Sequence, residues 1–454
     1  MSTQAATIPR LSTSGLLGSL PAFRKSRLDF QLLAMREHAD IARTHFGPFE
    51  VLLIGAPELV HALLVTQADD FVKSYGLSLF ARPILGDGLL TSEHALHRRQ
   101  RRLLAPAFAK RQISDYAALM GERATQSLER MLTAGKLDIG AESMRVTLEI
   151  VGKTLFDTEL ADAASEVGKA VTDAMECVVG SMADAVPLPP FIPSPRNLKL
   201  ARVKRRLDAL VYALIRARRE RASGSTDLLS MLLLARDDDG SGMSDRQIRD
   251  EVMTALLAGH ETTANALTWT LILLARNPEL RAEVESELDR VLQGAPPELS
   301  HLPSLPLTLA TFKEALRLYP PVYLLGRRAL RATDLCGYPV RKNQVVLVAT
   351  YGMHRRADLY PDPERFDPRR FLPEHEERLP RQAFLPFGAG ARTCIGNHFA
   401  LLEGQLVLAR WLARARFELS PSDQNIGLEP LITLRPKGPV WMRVTARRFM
   451  DREG

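Results

Sequence analysis

Cysteine is scarce in this sequence: three in 454 residues, Cys177, Cys336 and Cys394, far apart and without a CxxC pair. That excludes a disulfide framework and a cysteine-based zinc site, and it fits a reducing, cytoplasmic setting. Nowhere are there about 18 consecutive apolar residues, so no membrane span is expected. The N-terminus, MSTQAATIPRLSTSGLLGSLPAFRKSR, is interrupted by Pro9, Ser12, Ser14 and Pro21 and does not read as a secretion signal. Tethers rich in Gly/Ser or Pro, internal repeats and low-complexity tracts are also missing. A length that by itself suggests about three domains therefore reads as one large domain over residues 1–454, with the first 25 or so as an N-terminal extension free to flex.

Acidic residues fall short of basic ones, 53 against 60, leaving a formal net charge of +7. The excess sits in HRRQRR at 97–102, RARRER at 216–221 and ARRFMDREG at the C-terminus. Aromatics are not interleaved with these clusters and no groove-reading motif accompanies them, so nucleic-acid binding is not expected. They read as solvated helix faces, with a docking patch for an acidic protein as the functional alternative.

Most of the chain has helical spacing; β-branched runs occur at FEVLLIG (49–55) and VRKNQVVLVATYGM (340–353). The expected fold class is mainly α with small β-sheets. The longest helix is expected to start at Ser244-Asp245 and run to Arg276, before Asn277-Pro278 stops it. At about 32 residues and roughly 48 Å it would cross the whole domain. Its centre, ALLAGHETTANAL, is weak, because Gly259 and the pair Thr262-Thr263 lower helix propensity. The Thr262 hydroxyl is placed to bond back to the Ala258 carbonyl. A plainer reading is a glycine where two helices pack closely. A second helix, about Leu305 to Leu318, carries Glu314 and Arg317 at i, i+3 and ends at Tyr319-Pro320-Pro321. PLPPFIPSPR (187–196) reads as a surface loop or mobile lid.

Cys177 and Cys336 read as small buried hydrophobes. Cys394 stands apart, following a glycine-rich run and preceding helical spacing from Ile395 through Phe399, Leu402 and Leu406. At a helix N-terminus its sulfur would be favoured as thiolate. Two chemistries are open to it: a nucleophile, which would want a histidine base in reach, or an axial ligand to haem iron, which would want cations for the propionates.

The stretch FGAGARTCIG has Phe387, Gly390, Arg392, Cys394 and Gly396 at the fixed positions F-x-x-G-x-R-x-C-x-G, and so resembles the haem-binding loop of the cytochrome P450 family. AGHETT (258–263) resembles its oxygen-activation motif, EALR (314–317) its E-x-x-R motif and FDPRRF (366–371) its F-x-P-x-R-F motif. The resemblance implies the cytochrome P450 fold, the long helix crossing over haem b, and Cys394 as axial thiolate with Phe387, Gly388 and Gly396 shaping its loop. It implies His97, Arg101, Arg327 and Arg392 as propionate contacts, His97 standing where many members have tryptophan. Glu314, Arg317 and Arg370 would form a buried charge cluster; Arg365, in PERF, does not follow F-x-P and is set aside. Thr262 would hydrogen-bond the oxygen under activation and Glu261 relay protons, a pair that favours reductive use of O₂ over peroxide. Hydroxylation or epoxidation of a lipophilic molecule such as a fatty acid, terpenoid or steroid follows, in a pocket of Leu77, Phe80, Leu257, Ala258, Val322, Leu324, Leu325 and Ile432. With little chain beyond the last motif, a soluble monomer is expected to draw NAD(P)H electrons through a separate ferredoxin and its reductase. Peroxide-driven or isomerising chemistry, and a non-catalytic sensor or carrier, are the alternatives.

Overall fold

A computed structural model describes residues 7–447 apart from 14–16, 161–163, 184–191, 221–226 and 237–239. The central helix spans Asp245–Arg276. Ser244 caps it in a two-way box: the Gln247 N–H donates to the Ser244 hydroxyl and the Ser244 N–H to the Gln247 side chain. Asn277 ends it, and Pro278 opens the next helix, Pro278–Leu292. The helix is continuous through its weak centre, and the expected back-bond is present, Thr262 Oγ1 to the Ala258 carbonyl at 2.8 Å. Close packing also occurs there: a Cβ on Gly259 would lie 3.2 Å from Val151, on the neighbouring helix Ile139–Phe156. Hydrophobic burial against that helix, Pro306–Leu318 and Asn397–Arg414 holds the central helix despite its propensity. Trp269 and Trp411 are among the largest fully buried side chains.

One five-stranded sheet runs in the order Ile41–Phe46, Phe49–Ile54, Val345–Val348, Leu325–Ala329, Phe71–Lys73, with only the second and third strands parallel. Its register places Lys73 opposite Arg327. The expected long strand over 340–353 is broken. Asn343 takes a positive φ in a turn before Val345, and after Val348 the chain winds into a helical turn, Thr350–Met353. Near the C-terminus Gly427–Pro430 and Leu434–Lys437 form a hairpin closed by residues 431–433.

Two further expectations are corrected. The N-terminal stretch is docked where described: Ile8 and Leu11 are buried, and the Leu11 N–H and Pro9 carbonyl bond the backbone of Arg43. Cys336 is exposed, at a left-handed φ of +53° between two short strands, because the turn and not the core claims it. Cys177 is buried. Of the proline-rich segment, residues 187–191 lie outside the described residues. No helix among the described residues is long and apolar enough to cross a membrane.

Candidate active site

The loop ahead of helix Asn397–Arg414 closes on itself: the Cys394 N–H donates to the Phe387 carbonyl at 2.8 Å and the Thr393 N–H to that of Gly390 at 3.0 Å. Gly388 and Gly390 hold φ of +67° and +69°. Gly390 is also required by contact, since a Cβ there would lie 2.0 Å from the Leu64 carbonyl oxygen. Gly396, at φ −91°, has room for a Cβ; its contribution is the N–H it aims at the Cys394 sulfur. Cys394 lies deep in the protein, yet its side chain keeps an accessible face. Burial pushes its thiol pKa up, against the Gly396 N–H and the Arg101 charge, which favour thiolate. The helix dipole alone predicts the opposite direction; desolvation outweighs it.

Around this loop the structure gathers more cations than carboxylates. Arg392 and Lys73 both donate to the Ser92 carbonyl, at 3.1 and 2.7 Å, and Arg392 pairs with Glu93. Glu93 also accepts the Lys73 N–H at 2.7 Å. Arg101 donates to the Thr393 carbonyl at 2.7 Å, bracing the residue before Cys394. His97 is buried in the same group on helix His94–Leu104. Burial and the Arg392 charge bring Lys73 down to about 7, His97 to about 3 and Arg327 to about 10, so His97 is neutral and can still donate one N–H. A group bearing two carboxylates would relieve this repulsion. The donor set, one sulfur plus a surplus of cations, therefore fits haem b with its two propionates. Lys73 and Glu93 had no signal in the sequence, because Lys73 is set opposite Arg327 by strand register and Glu93 meets Arg392, 299 residues along the chain, only in the folded protein.

Behind the loop lies a buried ion pair. Arg317 binds Glu314 through two bonds of 2.7 Å, both side chains fully buried. It also donates to the carbonyls of His354 at 2.7 Å and Arg365 at 3.3 Å. Arg370 stands 3.5 Å from Glu314 without forming a hydrogen bond through that nitrogen. Arg365 thus takes part through its backbone alone. His354 links the cluster to the cysteine loop: one ring nitrogen meets the Arg317 carbonyl at 3.1 Å and the other accepts the Leu385 N–H at 3.0 Å. Burial and the Arg317 charge lower its pKa to about 3, and the neutral ring can donate at one edge and accept at the other. Nothing in TYGMHRR marked it.

On the central helix most residues are buried, but Ala258 is exposed and Ala255, Gly259 and Thr262 are half-buried, an open stripe at i, i+3, i+4 and i+7. Glu261 points elsewhere. Its carboxyl accepts the Thr433 hydroxyl at 2.6 Å, and its second oxygen is buried without a partner among the described residues. The structure therefore does not bring the Glu261 carboxyl and the Thr262 hydroxyl together, adjacent residues on a helix projecting about 100° apart. Thr433, like Lys73, Glu93 and His354, is a residue the sequence did not flag.

Of the pocket candidates, Leu77, Phe80, Leu257 and Ile432 are partly buried against the main core, and Leu324 and Leu325 against neighbouring clusters. Val322 is half-buried too. Hydrogen bonds join their segments: Tyr323 donates to the Leu431 carbonyl at 2.7 Å, and Thr433 reaches the central helix. Leu77 and Phe80 follow the strand paired with the one that begins at Leu325.

A family model described as Cytochrome P450 matches residues 9–442. Cyclooctatin synthase of Streptomyces melanosporofaciens is 38% identical over 416 residues, 90% of either chain. Pentalenene oxygenase of Streptomyces avermitilis is 35% identical over 91% of this chain and 92% of its own. Cyclooctat-9-en-7-ol 5-monooxygenase of Streptomyces melanosporofaciens is 34% identical over 89% of this chain and 88% of its own. Over nine-tenths of its length, then, and by the family model as well as by these identities, the chain belongs to the cytochrome P450 family of monooxygenases.

Proposed function

We propose that this enzyme, acting as a cytoplasmic monomer, uses O₂ and electrons from a ferredoxin to insert one oxygen atom into a terpenoid hydrocarbon or alcohol. The observation that carries the reading is the open stripe on the central helix, where the Thr262 hydroxyl stands with Ala258 and Gly259 amid otherwise buried residues. Haem bound through a thiolate supplies the activation of O₂. Cys394 would hold the iron, with Phe387, Gly388 and Gly396 fixing its loop. Arg101, Arg327, Arg392, His97 and Lys73 would hold the propionates. The Thr262 hydroxyl would hold a hydrogen bond within the pocket, and Glu261, whose carboxyl stands apart from that hydroxyl, would relay protons inward. One oxygen atom enters the substrate and the other leaves as water, consuming two electrons and two protons. The apolar lining from Leu77, Phe80, Leu257, Ala258, Val322, Leu324, Leu325 and Ile432 suits a substrate with few polar groups. Relatives named for pentalenene and cyclooctat-9-en-7-ol support the terpenoid class.

Turnover of pentalenene as probe, with NAD(P)H, ferredoxin and reductase against peroxide alone, tests this. Product with the reductant system is expected; product with peroxide only would move the enzyme to peroxide-driven chemistry.

Arg98 and Arg102 are exposed, one turn apart on the helix whose inner positions include His97 and Arg101. They would steer an acidic ferredoxin toward the cysteine side of the site. Arg98→Glu or Arg102→Glu is expected to slow ferredoxin-dependent reduction at low salt by about tenfold and to flatten its salt dependence. Stopped-flow rates unchanged in both respects would discard this surface.

A further inference from the structure

We propose that Thr433, on the turn of the C-terminal hairpin, is a positioning residue for Glu261, fixing where that carboxyl stands and setting the pH range over which it can carry a proton. This rests on the relay role given to Glu261 above and names the element that controls it.

The geometry is specific. Thr433 Oγ1 donates to Glu261 Oε1 at 2.6 Å, and Asn265 Nδ2, one helical turn along, reaches the same hydroxyl at 3.5 Å. All three side chains are almost wholly buried. The other carboxyl oxygen, Oε2, is buried without a hydrogen-bond partner among the described residues, an arrangement that costs stability and leaves that oxygen open to a proton carrier. Thr262, meanwhile, donates its hydroxyl hydrogen bond to the Ala258 carbonyl. Neither member of the acid and alcohol pair is held by the other; Glu261 is held by the hairpin.

The hairpin turn is itself firmly tied. Tyr323 donates to the carbonyls of Pro430 and Leu431 at 3.2 and 2.7 Å, Arg27 donates to Pro430 at 2.6 Å, and the Leu434 N–H bonds the Pro321 carbonyl at 2.9 Å. The carboxyl is thus anchored to a rigid turn and not to a side chain free to follow it. Burial raises the Glu261 pKa to about 6, opposed by the Thr433 hydroxyl, the charge of Arg435 on the hairpin and the Asn265 amide. Arg435 is in turn bound to Glu429 at 2.6 Å and to Thr172 at 3.1 Å, so its field on Glu261 is fixed as well. A hydroxyl donating to a carboxylate favours the ionised form, so its removal moves the titration upward.

The test uses the intact holoenzyme. The infrared C=O stretch of protonated Glu261, identified by its loss in Glu261→Gln, is titrated with pH, and in parallel the pH profile of reductant-driven O₂ consumption is recorded without added substrate. The wild type is expected to titrate near pH 6. Thr433→Val is expected to move the infrared midpoint and the profile upward together by about one unit, and Thr433→Ser to restore both. If Thr433→Val does not fold, Thr433→Ala removes the same hydroxyl without adding a methyl group. A midpoint unmoved by loss of the hydroxyl, or not restored by serine, overturns the proposal. The absorption spectrum of the same samples, reduced and bound to carbon monoxide, reports separately on the thiolate-haem assignment. An infrared failure with that spectrum intact therefore indicts Thr433 alone.

Discussion

Cys394→Ser is expected to abolish the strongly red-shifted Soret band of the reduced protein under carbon monoxide, and oxygenase activity with it. The loop is organised by backbone: the 394 N–H bonds Phe387, the Gly390 turn packs on Leu64, and Arg101 braces Thr393. Serine keeps all of these and changes only the sulfur, so circular dichroism and the urea midpoint should stay near wild type. The cation cluster that would receive the propionates is also untouched. Haem would then remain bound, and the loss would be confined to the band and to the chemistry that a thiolate donor sustains. A red-shifted band that persisted in Cys394→Ser would remove Cys394 from the iron.

Arg317→Leu is expected to destabilise the protein by about 3–5 kcal/mol, the cost of leaving one member of a buried pair uncompensated. Glu314 would keep the Asp367 N–H at 3.0 Å and a distant Arg370, but lose two direct bonds in a site without solvent. The carbonyls of His354 and Arg365 would lose a donor as well. Because His354 holds the Leu385 N–H, the damage should reach the cysteine loop and appear as faster haem release together with a lower denaturation midpoint. Arg369, paired with Glu283 at 2.7 Å with both side chains nearly half exposed, is the control: its alanine variant should cost no more than about 1 kcal/mol. Similar losses for the two variants would show that the buried cluster is not the anchor.

Residues close together in sequence could be read before the structure was known. The capped central helix was legible from spacing, and the cysteine loop and the Glu314–Arg317 pair from short motifs that resemble those of the family, each within one local segment. Lys73, Glu93, His354 and Thr433 could not be read, because each acquires its place from a partner far along the chain: a strand register, a buried carbonyl, a turn against a helix. The run at 340–353 shows the same limit in reverse. Its strand-favouring residues continue past Val348 with Thr350 and Tyr351, but the Ala349 N–H still bonds Ile54 while the carbonyl already accepts from Met353, and a helical turn takes over. Local propensity did not encode that switch. Glu261 beside Thr262 is the most instructive case, since the motif resemblance implied a role for each but not that the helix sends the two side chains to different partners.

The bond from Arg392 to the Ser92 carbonyl joins residues 300 positions apart. At a synthesis rate of about 5–20 residues per second, the cations near residues 73–101 leave the ribosome roughly 15–60 s before the loop they are to face. Throughout that interval the nascent chain carries one wall of the site and not the other, its positive charges open to whatever anions or chaperones are nearby. With Cys394 as the residue that would hold the iron, capture of the cofactor would be a late event, completed only once the loop around residue 394 has emerged and folded back onto residues 73–101.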